Sequence, residues 1–193
     1  MALLDERKKC DVLLREMLPS EIGGFAKVLH TADPKTVMLF LNNVYTSFDR
    51  ILASFDVYKV ETIKDSYMVV SGIPIRNGDL HAQEICALAI ALLKAYEGLE
   101  TVFEDTSLRA GVHSGMCAAG VVGQKVPRYC LFGDTVNTAS RILTNGADGK
   151  IHLSQNAARL LSGSSRYKVQ ERGLIEVKGK GQLQTFWLVV SPA

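Results

Sequence analysis

The chain has few cysteines, no long apolar run and almost no net charge. Four cysteines stand at irregular intervals in 193 residues, which excludes a disulfide framework and predicts reduced thiols of the cytosolic kind. The most apolar stretch, Ile85 to Tyr96, contains Lys94 and is too short to cross a bilayer as a helix. The chain has 22 basic and 20 acidic residues, a net charge of +2. Such a balance gives no general attraction to nucleic acid, so any anion site must be local.

Three common site signatures are also missing from the sequence. There is no Walker loop, and Gly120 and Gly123 do not form a dinucleotide fingerprint because no suitable Gly-rich turn follows a strand and opens a helix. His113 and Cys117 lie close together, but no second pair stands at zinc-ligand spacing, so we interpret both as structural residues. The sequence therefore excludes a P-loop enzyme, a Rossmann domain and a zinc site of the usual spacing.

The apolar pattern predicts one domain of mixed helices and strands. A chain of 193 residues that is 47% hydrophobic can bury one core. Helical spacing predicts helices from Pro34 to Ser54 and from His81 to Glu97. Alternation predicts a hairpin of two strands, Val57 to Ile63 and Ser66 to Ile73. The further predicted elements are strands at 108–113, 118–122, 150–153, 167–171, 175–177 and 184–190, and a helix at 155–161. This mixture indicates an α+β sandwich of helices on a mostly antiparallel sheet.

Residues 1–19 differ from the rest of the chain. Apolar side chains recur there at roughly helical spacing among charges, which indicates the end of an amphipathic or coiled-coil helix, and Pro19 would stop it. A solvated helix of no special role fits the same pattern. We therefore expect a linker helix over residues 1–19 and one folded domain over residues 20–193.

The most informative segment is 128–141, RYCLFGDTVNTASR. It predicts a strand that ends at Phe132, a Gly-Asp turn, and a helix that begins near Thr135. Asn137 and Arg141 would then lie four residues apart on one helical face. Since a guanidinium can hold phosphate oxygens with two parallel N–H donors, the segment suits a nucleotide. An ordinary exposed helix face would explain the same two residues.

This segment and four others resemble the catalytic domain of the class III nucleotide cyclases, in particular the guanylyl cyclases of the animal receptor type. The likeness is carried by residues 55–63, 67–72, 109–115, 128–141 and 177–181, and it extends from Pro34 to the end of the chain. It implies a class III cyclase fold with a ferredoxin-like core and the conversion of GTP to 3′,5′-cyclic GMP and pyrophosphate in intracellular signalling. Such a reaction joins the ribose 3′ oxygen to the α-phosphorus, so it depends on metal ions and cationic side chains.

The resemblance places two residues against the purine base. They are Glu61 in the first hairpin strand and Cys130 in the segment described above. A carboxylate accepts hydrogen bonds from guanine N1–H and N2–H, whereas adenine sites of this family carry Lys and Asp at these positions. The pair therefore implies GTP as the substrate. Taken alone, Glu61 is also an ordinary outward strand residue and Cys130 a small core residue.

Four more residues match positions that hold the rest of the nucleotide. Asn137 corresponds to a residue that orients the ribose, and Arg141 to one that stabilises the transition state at the α-phosphate. Arg109 corresponds to a residue that grips the terminal phosphates. Lys178, in a Lys-Gly-Lys-Gly turn, corresponds to another phosphate contact, and its neighbour Lys180 is the less favoured choice. Without the resemblance, that turn would be interpreted as a solvated surface hairpin.

The family binds two Mg²⁺ or Mn²⁺ ions through two aspartates, one of which matches Asp65. Aspartate is also common in turns for turn chemistry alone. The strand that carries the first aspartate has no counterpart, and Gly24-Phe25-Ala26 resembles the remnant of the turn that follows it, which would set Glu21 at the metal position. We therefore expect the first strand to be missing, or Phe25 to His30 to serve as a short substitute. Lys64, where the family has Gly, adds a cation beside the metal site.

The resemblance also implies partners. In this family the site lies between two subunits, so it implies a homodimer or a heterodimer with another cyclase domain. Residues 1–19 resemble the linker that follows a dimerising helix in receptor cyclases, which implies an upstream coiled-coil or receptor segment. We accordingly expect a cytoplasmic domain of a single-pass membrane receptor, and no nucleic-acid partner.

Two functions stay open at this point. The first is an active guanylate cyclase. The second is a catalytically impaired pseudo-cyclase subunit, which would keep Glu61, Cys130, Asn137 and Arg141 and complete a composite site only with an intact partner. Activity of the chain alone, against activity only after mixing with a subunit that has both aspartates, separates the two.

Overall fold

The computed structural model describes residues 11–189 except 64, 100–102, 104, 124, 126 and 127. These residues form one sheet of eight strands with five helices. The strands are β1 Asp11–Gly23, β2 Val57–Ile63, β3 Ser66–Ser71, β4 Ser107–Val122, β5 Arg128–Phe132, β6 Ile151–Ser154, β7 Lys168–Val177 and β8 Gly181–Val189. The helices are α1 Phe25–Thr31, α2 Pro34–Leu52, α3 Leu80–Glu97, α4 Asp134–Thr144 and α5 Gln155–Leu161.

The sheet is mixed but mostly antiparallel. Its strands lie in the order β2-β3-β1-β4-β6-β8-β7, and β5 pairs with β4 off this path. Among the described strands, only β4 and β6 pair in parallel. The predicted α+β architecture of helices on a largely antiparallel sheet is therefore confirmed.

The strand that the sequence predicts to be missing is present as β1. It lies in the middle of the sheet, antiparallel to β3 on one side and to β4 on the other. The predicted linker helix is therefore wrong over residues 11–18, and residues 1–10 lie outside the described part of the chain. Pro19 does not end the element; pairing with β4 is only interrupted at Leu18 and Pro19, because proline has no N–H to donate. The substitute strand expected at Phe25 to His30 is also wrong, since these residues are helical in α1.

Burial on both faces explains why a helix-like pattern forms a strand here. Leu18 and Ile22 lie in the main core with the side chains of α2 and α3, whereas Met17 lies on the opposite face with Ala139 of α4. A strand buried on both faces lacks the strict alternation of apolar and polar residues that marks a half-exposed strand. Pairing along two edges then outweighs a weak local preference for helix.

Helices α2 and α3 cover one face of the sheet and form the main core with it. Helix α2 begins at Pro34, and the Asp33 carboxylate accepts hydrogen bonds from the backbone N–H groups of Lys35 and Thr36 at 3.0 and 3.1 Å. Phe48 of α2 and Ile85 of α3 are fully buried. Both helices were predicted from their apolar spacing, and both are confirmed within two residues at each end.

Helix α4 lies on the other face, directly on β4, and two glycines allow this contact. A Cβ atom at Gly111 would lie 2.5 Å from Leu143 N, and one at Gly115 would lie 2.5 Å from Thr135 Oγ1. Thr135 Oγ1 also donates a hydrogen bond to Met116 O at 2.5 Å. The first and last turns of α4 are thereby fixed on β4, which leaves the outward face of the helix for the candidate site.

Two pairs of predicted strands are single strands in the structure. Strand β4 runs unbroken through Gly115, where the missing side chain makes room for α4. Strand β7 continues through Gly173, whose φ of 105° accompanies a register shift against β8. Glycine serves close packing at the first position and a bulge at the second.

Candidate active site

Glu21 and Arg109 form an ion pair across two neighbouring strands. The two residues are direct partners in the antiparallel register of β1 and β4. Arg109 Nη2 donates a hydrogen bond to Glu21 Oε2 at 2.9 Å, and the two side chains are only 26% and 24% exposed. Arg109 Nε is buried and has no hydrogen-bond partner among the described residues. The carboxylate expected to bind metal is thus held by the guanidinium expected to bind phosphate.

Asp65 lies beside this pair, at the turn between β2 and β3. Its backbone oxygen accepts a hydrogen bond from Ile22 N at 3.3 Å, and Ser66, the next residue, is the register partner of Glu21 on β3. The Asp65 carboxylate is half-buried. Burial, and then the negative charge of Asp65, raise the pKa of Tyr45 on α2. Lys64, predicted to add a cation here, lies outside the described residues.

The two carboxylates suit a divalent cation in their chemistry. Oxygen donors are what Mg²⁺ and Mn²⁺ prefer, and Glu21 pairs in register with Ser66, the residue that follows Asp65. No group of three or more His, Cys, Asp or Glu side chains that could hold a metal ion occurs in the part of the chain that the structure describes. The donor set fits the metal in its chemistry, but Arg109 occupies Oε2 of Glu21.

A second group of predicted residues lies on α4 and on the turn between β7 and β8. Asn137 is exposed and Arg141 is half-buried, one turn apart on the outward face of α4, while Thr138 and Ile142 point into the protein. The Arg141 guanidinium lies against Gly179, where a Cβ atom would be 3.4 Å from Nη1. With a φ of 72°, Gly179 allows both the turn and the close approach of Arg141.

The two lysines of this turn have different environments. Lys178 is exposed and makes no hydrogen bond or ion pair with any residue that the structure describes. Lys180 instead pairs with Asp134 at the start of α4, and this hydrogen bond holds the pKa of the Asp134 carboxyl below its usual value. Lys178 is therefore available to a ligand, and it is the lysine that the family resemblance favours as a phosphate contact. The bond between Lys180 and Asp134 was not foreseen, because 46 residues separate the two in the chain.

The two residues expected at the base belong to strands that approach each other. Cys130 of β5 is half-buried, is a free thiol, and pairs with Gly120 of β4. The side chain of Glu61 lies outside the described residues, although its backbone is part of β2. Contact between β2 and β5 is made by the rings of Tyr58 and Tyr129, whose centroids are 5.6 Å apart at an interplanar angle of 76°.

A polar cleft of about 330 Å³ lies next to α4 but includes none of the predicted site residues. His113, Asp134, Ser154 and Lys180 are among its lining residues. His113 Nδ1 is 2.8 Å from Ser154 Oγ, and burial lowers the pKa of His113 to about 4. Since this histidine is neutral at physiological pH and held by a neighbour, its environment agrees with the structural role expected of it.

Within one chain, Arg109 and Cys130 lie toward opposite ends of β4. Arg109, with Glu21 and Asp65, is near the beginning of the strand, whereas Gly120, the partner of Cys130, is eleven residues further along it. Arg109 and Arg141 come from different layers, the sheet and the helix above it.

The family of the chain follows from comparison with known sequences. The model of the adenylate and guanylate cyclase catalytic domain matches residues 16–190, which is nearly the whole chain. The chain belongs to this cyclase domain family. The resemblance noted in the sequence is thereby confirmed, and residues 16–23 of β1 fall within the matched region.

Receptor guanylate cyclases are among the similar proteins. Guanylate cyclase 32E of Drosophila melanogaster is 47% identical over 214 aligned positions, covering 96% of this chain and 18% of the relative. The human atrial natriuretic peptide receptor 2 is 44% identical over 216 positions, covering 97% of this chain and 21% of the receptor. The cyclase domain described here thus spans about a fifth of the length of these relatives. Because both alignments are longer than the 193 residues of this chain, they contain positions that the chain lacks.

Solved cyclase domains have the same fold. The guanylate cyclase domain of RhGC from Catenaria anguillulae, determined in complex with GTP, superposes with a TM-score of 0.86 at 35% identity, covering 93% of this chain and 97% of that one. The adenylyl cyclase CyaB from P. aeruginosa superposes with a TM-score of 0.86 at 22% identity, covering 95% and 97%, which supports the fold alone. This cyclase domain therefore keeps the family fold although it is shorter than its aligned relatives.

Proposed function

We propose that the chain is a guanylate cyclase catalytic domain that converts GTP to 3′,5′-cyclic GMP and pyrophosphate in intracellular cyclic GMP signalling. The observation that carries the proposal is the outward face of α4, where Asn137 and Arg141 stand beside the turn that holds Lys178. An amide and two cations around one surface suit a ribose and a triphosphate. Asn137 orients the ribose, Arg141 stabilises the charge that develops at the α-phosphate, and Lys178 contacts the phosphates.

Base selectivity is assigned to Glu61 and Cys130. The contact between Tyr58 and Tyr129 holds their strands together, so both residues can line one pocket. The Glu61 carboxylate would accept the two guanine N–H groups, and an uncharged Cys130 would leave room for the guanine oxygen. GTP is therefore the proposed substrate, with ATP disfavoured.

The metal half of the site is assigned to Asp65 and Glu21, which would hold two Mg²⁺ or Mn²⁺ ions. Bound there, the ions would activate the ribose 3′ oxygen and neutralise charge on the triphosphate. When Glu21 turns to a cation, Arg109 loses its partner. Its guanidinium, including the Nε that has no partner among the described residues, is then free to take the terminal phosphates.

The proposal places the complete site between two cyclase domains, in a homodimer or a heterodimer. One chain would supply Glu21, Asp65 and Arg109, and the other would supply the base residues and α4. Exposed apolar side chains on the β4–β5 hairpin support an interface: Met116, Val121, Val122 and Phe132 are 63%, 47%, 51% and 51% exposed. Exposed apolar patches of this kind mark sites of protein–protein contact.

The parent protein is proposed to be a single-pass membrane receptor with this domain in the cytoplasm, connected through an upstream coiled-coil or receptor segment. The support is the kind of protein found among the relatives, which include the atrial natriuretic peptide receptor 2 and the speract receptor of Strongylocentrotus purpuratus. None of the helices that the structure describes is long and apolar enough to span a bilayer.

A second function is favoured by the ion pair between Glu21 and Arg109. If this pair does not open, the metal half of the chain is blocked while the α4 half remains usable. The chain would then be a pseudo-cyclase subunit that completes one composite site with a partner that has an intact metal half.

The test is cyclic GMP formation from GTP with Mn²⁺ by the purified chain, with ATP as the control substrate. Asp65→Ala should abolish activity, whereas Asp105→Ala, which removes an exposed aspartate paired with Lys27, should not. Activity of the chain alone supports the enzyme. Activity only after mixing with a cyclase domain that carries both metal aspartates, lost in Arg141→Ala, supports the pseudo-cyclase. No product in either experiment would overturn both.

A further inference from the structure

Three side chains from β6, β7 and β8 form a cluster below the end of α4. His152 of β6 is the register partner of Trp187 of β8, and their rings are 4.8 Å apart. Arg172 comes from β7, at the shift in register between Glu171 and Gly173. A bulge of this kind redirects a side chain, and here the guanidinium lies over the Trp187 ring at 4.6 Å from its centroid.

The hydrogen bonds of the cluster run to the backbone of α4. His152 is fully buried, and burial lowers its pKa to about 4, so the ring is neutral at physiological pH. Its Nδ1 is 2.6 Å from Ile142 O and must donate there, because a carbonyl only accepts. Nε2 is therefore the accepting nitrogen, and Arg172 Nη1 lies 3.0 Å from it. The same Nη1 donates to Asn145 O.

Asn145 connects this cluster to Arg141. Asn145 ends α4, and its backbone N–H and its side-chain Nδ2 donate to Arg141 O at 3.1 and 2.9 Å. Arg172 therefore bonds to Asn145, and Asn145 in turn bonds to the backbone oxygen of Arg141. Its positive charge also stands at the carboxyl end of a helix, where the helix dipole favours a cation.

The cluster also connects α4 to the turn that carries Lys178. Arg172 lies within β7, and Lys178 directly follows the last residue of that strand. Trp187 lies on β8, the other strand of the hairpin. The Arg141 guanidinium rests on Gly179 in the turn of this hairpin. A shift of the end of α4 against the hairpin would therefore change the position of Arg141 relative to Lys178.

We propose that Arg172 is a positioning residue that fixes the last turn of α4 on the β7–β8 hairpin and so sets Arg141 beside Lys178. It does not itself contact the nucleotide. The consequence for catalysis rests on the proposed cyclase function, whereas the consequence for the helix end does not. Arg172 is an exposed residue, so replacing it should leave the folded core intact.

The test compares Arg172→Ala and Arg172→Lys with Arg166→Ala, a matched control in which the lost arginine stacks on Tyr167 and does not reach α4. Hydrogen exchange of the Asn145 and Gly146 amides is measured in each. Exchange should be about tenfold faster in Arg172→Ala, the equivalent of one lost hydrogen bond to a charged group. Arg172→Lys, which keeps the charge, should lie between it and the unchanged chain, and Arg166→Ala should equal the unchanged chain.

Steady-state kinetics with GTP give the second measurement, on the chain alone or with the partner that supports activity. Arg172→Ala should lower kcat about tenfold and change KM by less than about threefold, since Arg141 acts in the transition state. Unchanged exchange at Asn145 and Gly146, or equal effects in Arg166→Ala, would overturn the positioning role. Altered exchange in a chain that makes no cyclic GMP under any condition would instead count against the cyclase function and leave the role of Arg172 in the helix end established.

Discussion

Arg109 Nη2 and Glu21 Oε2 are joined at 2.9 Å, so the residue proposed to bind phosphate and a residue proposed to bind metal are bonded to each other. Glutamate is one methylene longer than the aspartate that the family uses at this position, which brings its carboxylate closer to Arg109 on the neighbouring strand. The side chains are about three-quarters buried, so the pair is screened less than a surface ion pair. We therefore expect a metal ion and Arg109 to compete for the Glu21 carboxylate.

Shortening Glu21 should separate these two functions. In Glu21→Asp, the shorter carboxylate is drawn back from Arg109 and their ion pair should weaken, so we expect roughly a tenfold gain in Mn²⁺ affinity. Electron paramagnetic resonance of free Mn²⁺ during titration measures it. Glu171→Asp, at a residue that accepts from Gln184 on the far side of the sheet, is the matched control. Equal Mn²⁺ affinity in the Glu21 variant and the unchanged chain would contradict the proposed competition.

Changing the base residues should change the preferred nucleotide. In Glu61→Lys with Cys130→Asp, the acceptor for the guanine N–H groups is lost and groups suited to adenine are supplied. We expect the ratio of GTP to ATP turnover to fall by roughly a hundredfold. Initial rates with each nucleotide measure this ratio. Cys86→Ala, which removes a buried thiol from α3, should leave this ratio unchanged. If the double variant keeps the ratio of the unchanged chain, Glu61 and Cys130 do not line the base pocket.

Acid should weaken the fold through two buried histidines. Burial lowers the pKa of His113 and of His152 to about 4, from an ordinary value of 6.5. Between these values the unfolded chain binds more protons than the folded one, so the free energy of unfolding decreases as the pH falls from 6.5 to 4. Urea denaturation at pH 7, 6 and 5 measures this slope.

The variant His152→Gln should remove about half of that slope, because two similar groups contribute to it. His30→Gln, at an exposed position in α1, should leave the slope unchanged. Parallel slopes for His152→Gln and the unchanged chain would show that His152 is not a neutral, buried group in solution.

The central position of β1 gives a direct stability test. Leu18→Ala removes a fully buried side chain from the main core and should lower the free energy of unfolding by about 3 kcal/mol. Leu29→Ala, at an exposed leucine of α1, should change it by less than about 0.5 kcal/mol. Urea denaturation of both variants measures the difference. Equal, small effects would mean that residues 11–18 form a linker outside the core.

Much of the fold could be predicted from local patterns. Helix α2 shows apolar residues at helical spacing after a proline and a capping aspartate, and β2 and β3 show alternation around a tight turn. Strand β1 could not be predicted in this way, because Met17 and Leu18 are buried on opposite faces and their sequence has the same spacing as a helix. Its conformation is decided by pairing with β3 and β4, and the residues of both strands lie far along the chain.

The candidate site shows the same limit. The family motif led to Asn137, Arg141, Lys178, Asp65 and Glu21 as separate residues. The partners that control them were not visible, since Glu21 is 88 residues from Arg109 and Asp134 is 46 residues from Lys180. Contacts across such separations follow from strand register and helix packing, which a motif does not encode.

The pairing of β1 on both of its edges also has a mechanical meaning. Hydrogen bonds in antiparallel pairs run perpendicular to the strands, so a force that pulls Asp11 along the strand axis loads the bonds to β3 and to β4 in shear. Many bonds then share the load, and they must slip together rather than open one by one. Between Asp11 and Glu21 the force passes through continuous strand without a loop to absorb it. A force applied at Asp11 is therefore transmitted along β1 to Glu21, the partner of Arg109.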